Sequence, residues 1–307
     1  MKKILLFTFI VVLIPVLIIG LDDTKEIINK IKYGSINNKV VKVKRTSSGD
    51  IISIPLEEYV IGVVAGEMPA SFNDEALKAQ AVASRTYVLK KQQNNKNEYD
   101  VLDGTSNQVY IDDDQMKEKW KDNYEKYSSK IKSAVKKTKG EVIMYNDNLI
   151  DALFFSTSNG YTENSSDVFK SNLPYLVSVE SRWDKEESPV FLSKNEVSKK
   201  EFLFNLGLNE TDSINISDVI KTSTGRIKSI TINGKNFESS KLRTAFNLRS
   251  TSFNIEVNDD RVIFNVSGYG HGVGLSQYGA SGMAKEGYNY KDILLYYYKN
   301  CEIKKIN

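Results

Sequence analysis

The chain has 307 residues, enough for one large domain or two small ones with a real core. Its 42 Lys and Arg against 39 Asp and Glu leave a net charge of +3, which is no footprint for a polyanion, so no nucleic-acid partner is expected. A single cysteine, Cys301, excludes an internal disulfide, and with a single histidine, His271, no Cys/His zinc site can be built.

Lys2 and Lys3 precede an uncharged, mostly apolar run over residues 4–21, followed by Asp22 and Asp23. Its length just suffices to span a bilayer as a helix, and the leading lysines orient the bulk of the chain outward. A cleaved signal peptide is the competing reading, but the end of the run lacks the small residues a signal peptidase prefers. The expectation is an uncleaved signal-anchor over 1–21, a charged stalk over 22–39, a body over 40–300 and a short tail over 301–307.

Within the body, residues 41–44 and 51–54 read as a hairpin across Ser48-Gly49-Asp50. Helical spacing covers 56–65 and, more strongly, 74–91, where Asp74 is a plausible N-cap and Leu77, Ala81, Ser84 and Val88 share a face. Residues 117–137 predict one lysine-rich helix with Trp120, Tyr124, Tyr127, Ile131 and Val135 inward, stopped by Gly140. Residues 142–145 and 149–155 predict a hairpin around Asn146-Asp147-Asn148. Residues 185–208 read as charged and helix-like, and 185–215 as an inserted subdomain. Residues 226–232 and 235–238 pair across Asn233-Gly234, and 253–257 with 261–266 across Asn258-Asp259-Asp260. Helices are expected over 239–248, 275–284 and 291–298. Helices and antiparallel strands mix without strict β-α-β alternation, so the class is α+β.

Three segments concentrate chemistry. In the first, Glu67 ends an almost uncharged stretch from Val60 and precedes Met68-Pro69. A carboxyl in apolar surroundings keeps its proton near neutral pH, as a general acid must. The second, Phe155-Ser156-Thr157-Ser158-Asn159-Gly160-Tyr161-Thr162-Glu163-Asn164, is a hydroxyl and amide cluster after an apolar strand. The third, Gly268-Tyr269-Gly270-His271-Gly272-Val273-Gly274-Leu275-Ser276-Gln277-Tyr278-Gly279, lies between a strand and a helix. Hydroxyls, amides and aromatic rings together suit a sugar. Taken alone, such runs are more often a turn with a helix cap or close-packed backbone. The third segment lacks the third glycine of a dinucleotide fingerprint, Val273 standing in its place.

These segments, with Glu58 to Pro69, Ala76 to Ala81, Arg85-Thr86-Tyr87, Leu173-Pro174-Tyr175-Leu176 and Leu248-Arg249-Ser250-Thr251, resemble the SpoIID/LytB-type domain family of endospore-forming Gram-positive bacteria. The resemblance covers about residues 41–300 and the N-terminal anchor. It implies two lobes flanking a glycan groove and a lytic transglycosylase that cuts peptide-stripped peptidoglycan strands during forespore engulfment. It implies an extracytoplasmic catalytic region on a single-pass anchor in the mother-cell membrane. The implied partners are a SpoIIP-like amidase and a SpoIIM-like membrane protein.

The family's catalytic Glu falls on Glu67. Arg85, Tyr87, Ser156, Ser158, Tyr161, Tyr269, His271, Ser276, Gln277 and Tyr278 are the candidate groove residues. Many relatives carry a His just before the Ser-Thr-Ser segment, and some bind zinc with His and Cys; Phe155 stands there in this chain, so no metal or other cofactor is expected. Two rival readings stand: a non-catalytic, glycan-binding enhancer of an amidase, and a serine hydrolase using Ser276 or Ser156 with His271. The hydrolase reading has no G-x-S-x-G elbow and no acidic partner assignable to the histidine.

Overall fold

The structure is a computed structural model that describes residues 39–169, 171–210 and 213–306. The expected membrane-spanning helix over 4–21 and the stalk to residue 38 lie outside the described residues. Among the described residues no helix is long and apolar enough to cross a membrane. The expectation of an α+β fold preceded by a transmembrane helix, with a single-pass location, is therefore corrected to an α+β fold in which no described helix spans a membrane.

Two hydrophobic cores organise the chain. The first is built from β1 (Val40–Lys44), β2 (Ile51–Pro55), α1 (Leu56–Glu67), α2 (Asp74–Asn94), β3 (Val101–Leu102), α3 (Asp113–Trp120), α4 (Tyr124–Lys137), β4 (Glu141–Tyr145), β5 (Asn148–Leu149) and β6 (Phe154–Phe155). Two single-turn helices follow, α5 (Ser165–Val168) and α6 (Asp184–Glu187). The second core comprises β7 (Leu192–Ser198), α7 (Lys199–Leu206), β8 (Ile216–Lys221), β9 (Ile227–Ile232), β10 (Lys235–Glu238), α8 (Ser239–Ala245), β11 (Phe253–Val257) and β12 (Arg261–Ser267). The chain then returns to the first core with β13 (Leu275–Ser276), α9 (Gln277–Lys285), α10 (Tyr290–Tyr297) and β14 (Glu302–Lys305).

Entry to and exit from the second core are adjacent, because the Gly268 N–H donates to the Phe191 carbonyl at 2.8 Å. Three-stranded sheets β10-β9-β8 and β11-β12-β7 frame that core, and Phe202, Phe246, Phe253 and Phe264 fill it with rings 4.9–6.0 Å apart. The returning segment is stitched into the first core by sheet pairing: β13 runs parallel to β6, and β14 antiparallel to β4.

The α2 helix is the axis of the first core. From Leu77 to Leu89 all but Lys78 are buried, the polar Gln80, Ser84, Arg85 and Thr86 included. The expectation of a helix with one narrow apolar face is thus replaced by a helix covered all round. Ala76, Ala79, Ala81 and Ala83 let neighbouring elements approach closely, and each buried polar group has a partner. Thr86 Oγ1, for example, donates to Val82 O at 2.7 Å and accepts from the Ile143 N–H at 2.9 Å. The cap is Asn73 rather than Asp74, its side chain accepting from the Glu75 N–H.

Three other expectations change. The lysine-rich helix is two helices, broken at Lys121, whose φ is 47°. The partner strand of β4 ends at Leu149; Phe154 and Phe155 pair with β13 instead. Part of the charged, helix-like stretch is β7, which pairs along its length with β12; a partner more than sixty residues away in sequence overrides local propensity there.

Candidate active site

The α1 helix begins after Pro55, with Glu57 and Glu58 in its first turn, where negative charge complements the helix dipole. It ends at Glu67 because Met68 precedes proline and is held extended, at φ −115° and ψ 143°. Glu67 is therefore fixed at a helix C-terminus, where the dipole opposes a negative charge.

A loop between β3 and α3 crosses this helix end. Gly62 and Gly66 let it lie against the backbone: a Cβ on Gly66 would stand 2.3 Å from the Val109 carbonyl, and one on Gly62 2.3 Å from the Tyr110 ring. The close approach brings the Val109 N–H to Glu67 Oε1 at 2.6 Å. The Gln277 amide at the start of α9 donates to the same carboxylate. Gln277 is held in turn by Gln80 of α2, at 3.3 Å from its Nε2. Lys119 of α3 donates to the Ala65 carbonyl at 2.8 Å and contributes a positive charge.

Burial pushes the Glu67 carboxyl from 4.5 up to about 7; the Val109 N–H, the Gln277 amide and the Lys119 charge each act in the opposite direction. Desolvation wins. The result is a carboxyl able to hold a proton at neutral pH and to release it without a large penalty. The charge that acts on it among the described residues is that of Lys119; no second carboxylate does.

The second and third chemical segments meet beside this acid. Thr157 and Tyr269 exchange backbone hydrogen bonds at 3.0 and 2.7 Å. The Ser156 carbonyl accepts from the Tyr278 N–H at 3.1 Å, and the Tyr278 ring meets Phe72 edge-on at 5.0 Å. Ser156, Gln277 and Tyr278 thus stand together on the Glu67 side. Tyr161 and Tyr269 present exposed rings.

Other candidates are placed differently. Arg85 is fully buried and forms a two-pronged ion pair with Glu57, at 2.9 and 2.7 Å, while donating to the Glu141 carbonyl. Glu57 lies at the opposite end of α1, about 15 Å from Glu67 by helix rise. Tyr87 is buried, its hydroxyl accepting from Asn107 at 3.1 Å. Ser158 and Ser276 are buried around Asp184, a carboxylate that accepts from the Ser158 N–H at 2.8 Å and from the Ser181 and Ser276 hydroxyls at 2.5 Å. Burial raises the Asp184 carboxyl, and these bonds counter it.

His271 is committed too. Its Nδ1 accepts from the Val273 N–H at 3.0 Å, and it bonds the Phe154 backbone. Burial, then the charges of Arg226 and Arg243, push it down to about 4, so it is neutral. Ser276 donates to Asp184 and the Ser156 hydroxyl pairs with that of Thr157, so neither serine meets His271 as a hydrolase nucleophile would. A zinc ion does not fit here either: the Phe155 ring lies 5.7 Å from that of His271, and the histidine's bonds are spent within the protein.

Sequence reasoning missed the Val109 N–H, Gln80, Lys119 and Asp184. Only the glycine pair spaced like Gly62 and Gly66 hinted that backbone would approach α1.

The family model described as Stage II sporulation protein (SpoIID) matches residues 44–145, which include Glu67, Val109 and Lys119. Stage II sporulation protein D of Bacillus subtilis (strain 168) is 41% identical over 271 residues, covering 86% of this chain and 79% of that protein. The chain belongs to the SpoIID family. The Stage II sporulation protein D of Bacillus amyloliquefaciens is 40% identical over 271 residues, covering 86% of this chain and 78% of that protein. A protein named Amidase enhancer from Bacillus subtilis (strain 168) is 31% identical over 77% of this chain, which spans 39% of that longer protein. The two Bacillus SpoIID matches cover 86% of the chain, more than the stretch over 44–145 that the family model matches.

Proposed function

We propose that this SpoIID-family chain acts in sporulation as a lytic transglycosylase, cutting the MurNAc-GlcNAc β-1,4 bonds of peptide-stripped peptidoglycan. The observation that carries this reading is a largely buried carboxyl at the end of α1, pushed up to about 7 by burial, on which no second carboxylate acts among the described residues. A hydrolysing glycosidase uses two carboxylates, one of them to activate water or to attack the sugar. A single carboxyl suffices when the nucleophile belongs to the substrate.

Glu67 donates its proton to the glycosidic oxygen as that bond breaks. The carboxylate left behind is stabilised by the Val109 N–H, the Gln277 amide and the Lys119 charge. It then takes the proton from the C6 hydroxyl of the same MurNAc, whose oxygen closes on C1 to give a 1,6-anhydro end. The tethered nucleophile supplies much of the entropic advantage. An amidase that strips the strands is the natural partner, as the resemblance implies, together with a SpoIIM-like protein.

A second reading, a glycan-binding stimulator of an amidase, is favoured by the relative named Amidase enhancer. Peptide-free glycan strands incubated with wild type and Glu67→Gln decide between them, with products read by mass spectrometry. Fragments one water lighter than hydrolysis products, lost in Glu67→Gln, support the transglycosylase. Fragments carrying the full water refute it, and binding without cleavage favours the stimulator.

A further inference from the structure

A cavity of about 1040 Å³ opens at the seam between the two cores, a usual place for ligand sites. Thr105 and Asp167 wall it from the first core, Arg226, Arg243 and Arg249 from the second, and Tyr269 from the returning segment. Its volume exceeds what a single sugar needs, and hydroxyls and an amide, Asn247, line much of the rest.

The charges on its wall are unbalanced. Lys228 is paired with Asp167 at 2.6 Å, and the fully buried Arg226 faces Glu163 at 3.5 Å. Arg243 and Arg249 have no carboxylate within ion-pair distance among the described residues, and of the lining acids Glu238 alone remains to set against them. Arg243 spends Nε on the Leu248 carbonyl at 3.3 Å. The Arg249 guanidinium lies over the Tyr269 ring, 5.6 Å from its centre, and that ring is exposed. In addition, Arg226, which lines the cavity, keeps Nη2 buried without a hydrogen-bond partner while its Nε faces Glu163. Guanidinium groups are shaped for two-point recognition of carboxylates, and unpartnered buried donors are uncommon unless a ligand or water meets them.

The cavity belongs to the same two segments that hold the acid. Thr105 is four residues from Val109, at most about 14 Å along an extended chain. Tyr269 begins the segment that ends at Gln277.

We infer that this cavity is a subsite for a sugar bearing a free carboxylate, with Arg243 and Arg249 as its recognition groups and Tyr269 as the platform for the ring. The inference rests on the glycan reading above. In peptidoglycan the group with this chemistry is the lactyl ether carboxylate of MurNAc, which is an amide while the stem peptide is attached. The arginines are then the groups that read the peptide-free state of the strands proposed above.

The test uses three ligands: peptide-free strands, the same strands with lactyl carboxylates converted to methylamides, and chitohexaose. Titration calorimetry on Glu67→Gln protein, which leaves strands intact, is run alone and with Arg243→Gln, Arg249→Gln or their Lys counterparts. Free-acid strands should bind about tenfold or more tightly than methylamide strands or chitohexaose. The Gln substitutions should abolish that preference, and Lys should restore part of it. In proteins with Glu67 intact, the same changes should raise KM for free-acid strands and leave kcat unchanged. Equal binding of acid and methylamide strands, or a preference that survives both Gln substitutions, overturns the subsite. If wild type cuts nothing but the carboxylate preference holds, the subsite stands and the transglycosylase reading falls.

Discussion

Replacing Glu67 with glutamine tests the central physical claim twice, once through stability and once through chemistry. The carboxyl is lifted from 4.5 to about 7 by burial. A group raised in the folded state contributes its full stability below its unfolded value and loses it as pH climbs through the folded value. At about 1.4 kcal/mol per pH decade, the raised pKa of Glu67 costs the fold at most about 1 kcal/mol at pH 5 and about 3 kcal/mol at pH 8. The amide introduced by Glu67→Gln never ionises, and its oxygen can still accept from the Val109 N–H. The variant should therefore be close to wild type at pH 5 and more stable at pH 8, with a melting-temperature gap that widens by about 4–8 °C. Thermal denaturation of both proteins across pH 5–8 measures it, and the comparison cancels every other titrating group. Cleavage should fall by about a hundredfold to ten-thousandfold at any pH. A melting gap that stays flat from pH 5 to 8 would mean that Glu67 titrates normally, and the argument for a desolvated acid would be refuted.

Three more outcomes follow from the same geometry. Gln277→Leu removes a donor to the Glu67 carboxylate, so its pKa should rise further and the alkaline limb of the kcat/KM profile should move to higher pH. Gly66→Ala drives a Cβ to 2.3 Å from the Val109 carbonyl; it should cost about 1–3 kcal/mol in urea denaturation and reduce cleavage by displacing the Val109 N–H. Arg85→Met breaks the buried pair with Glu57 and should cost about 3 kcal/mol or more, yet kcat and KM of the folded protein should stay within a few-fold, because Arg85 sits at the far end of α1.

The acid was legible in sequence because its causes are local: an apolar helix, a residue held extended by Pro69, and a carboxyl between them. The hairpin across Asn233-Gly234 was legible for the same reason, both turn residues having positive φ. What tunes the acid was not legible. The Val109 N–H is a backbone group, invisible to any reading of side chains. Lys119 looked like one more lysine on a solvated face, and Gln277 reaches Glu67 only once α9 has packed on α2. Arg85 and Ser158 share their motifs with site residues but serve packing, since a motif records which residues stay together and not which atoms face solvent. The strand at 192–198 was hidden behind a charged, helix-like composition, because its stability comes from β12.

The adjacency of Phe191 and Gly268, and the return of β13, α9 and β14 to the first core, set an order for biosynthesis. When Glu67 leaves the ribosome, the glutamine that will hold its carboxylate is still some two hundred residues from being made. The sheet holding β4 lacks its β14 edge until residues 302–305 are made, and the second core closes only once β12 is made and pairs with β7. Domains of this kind tend to form as units while the remainder waits. A nascent chain that stops short of Gln277 thus carries Glu67 without its full set of partners, and the cutting proposed above needs the returning segment. For a protein proposed to cut the wall that contains the cell, late assembly of the site is a safeguard written into chain order.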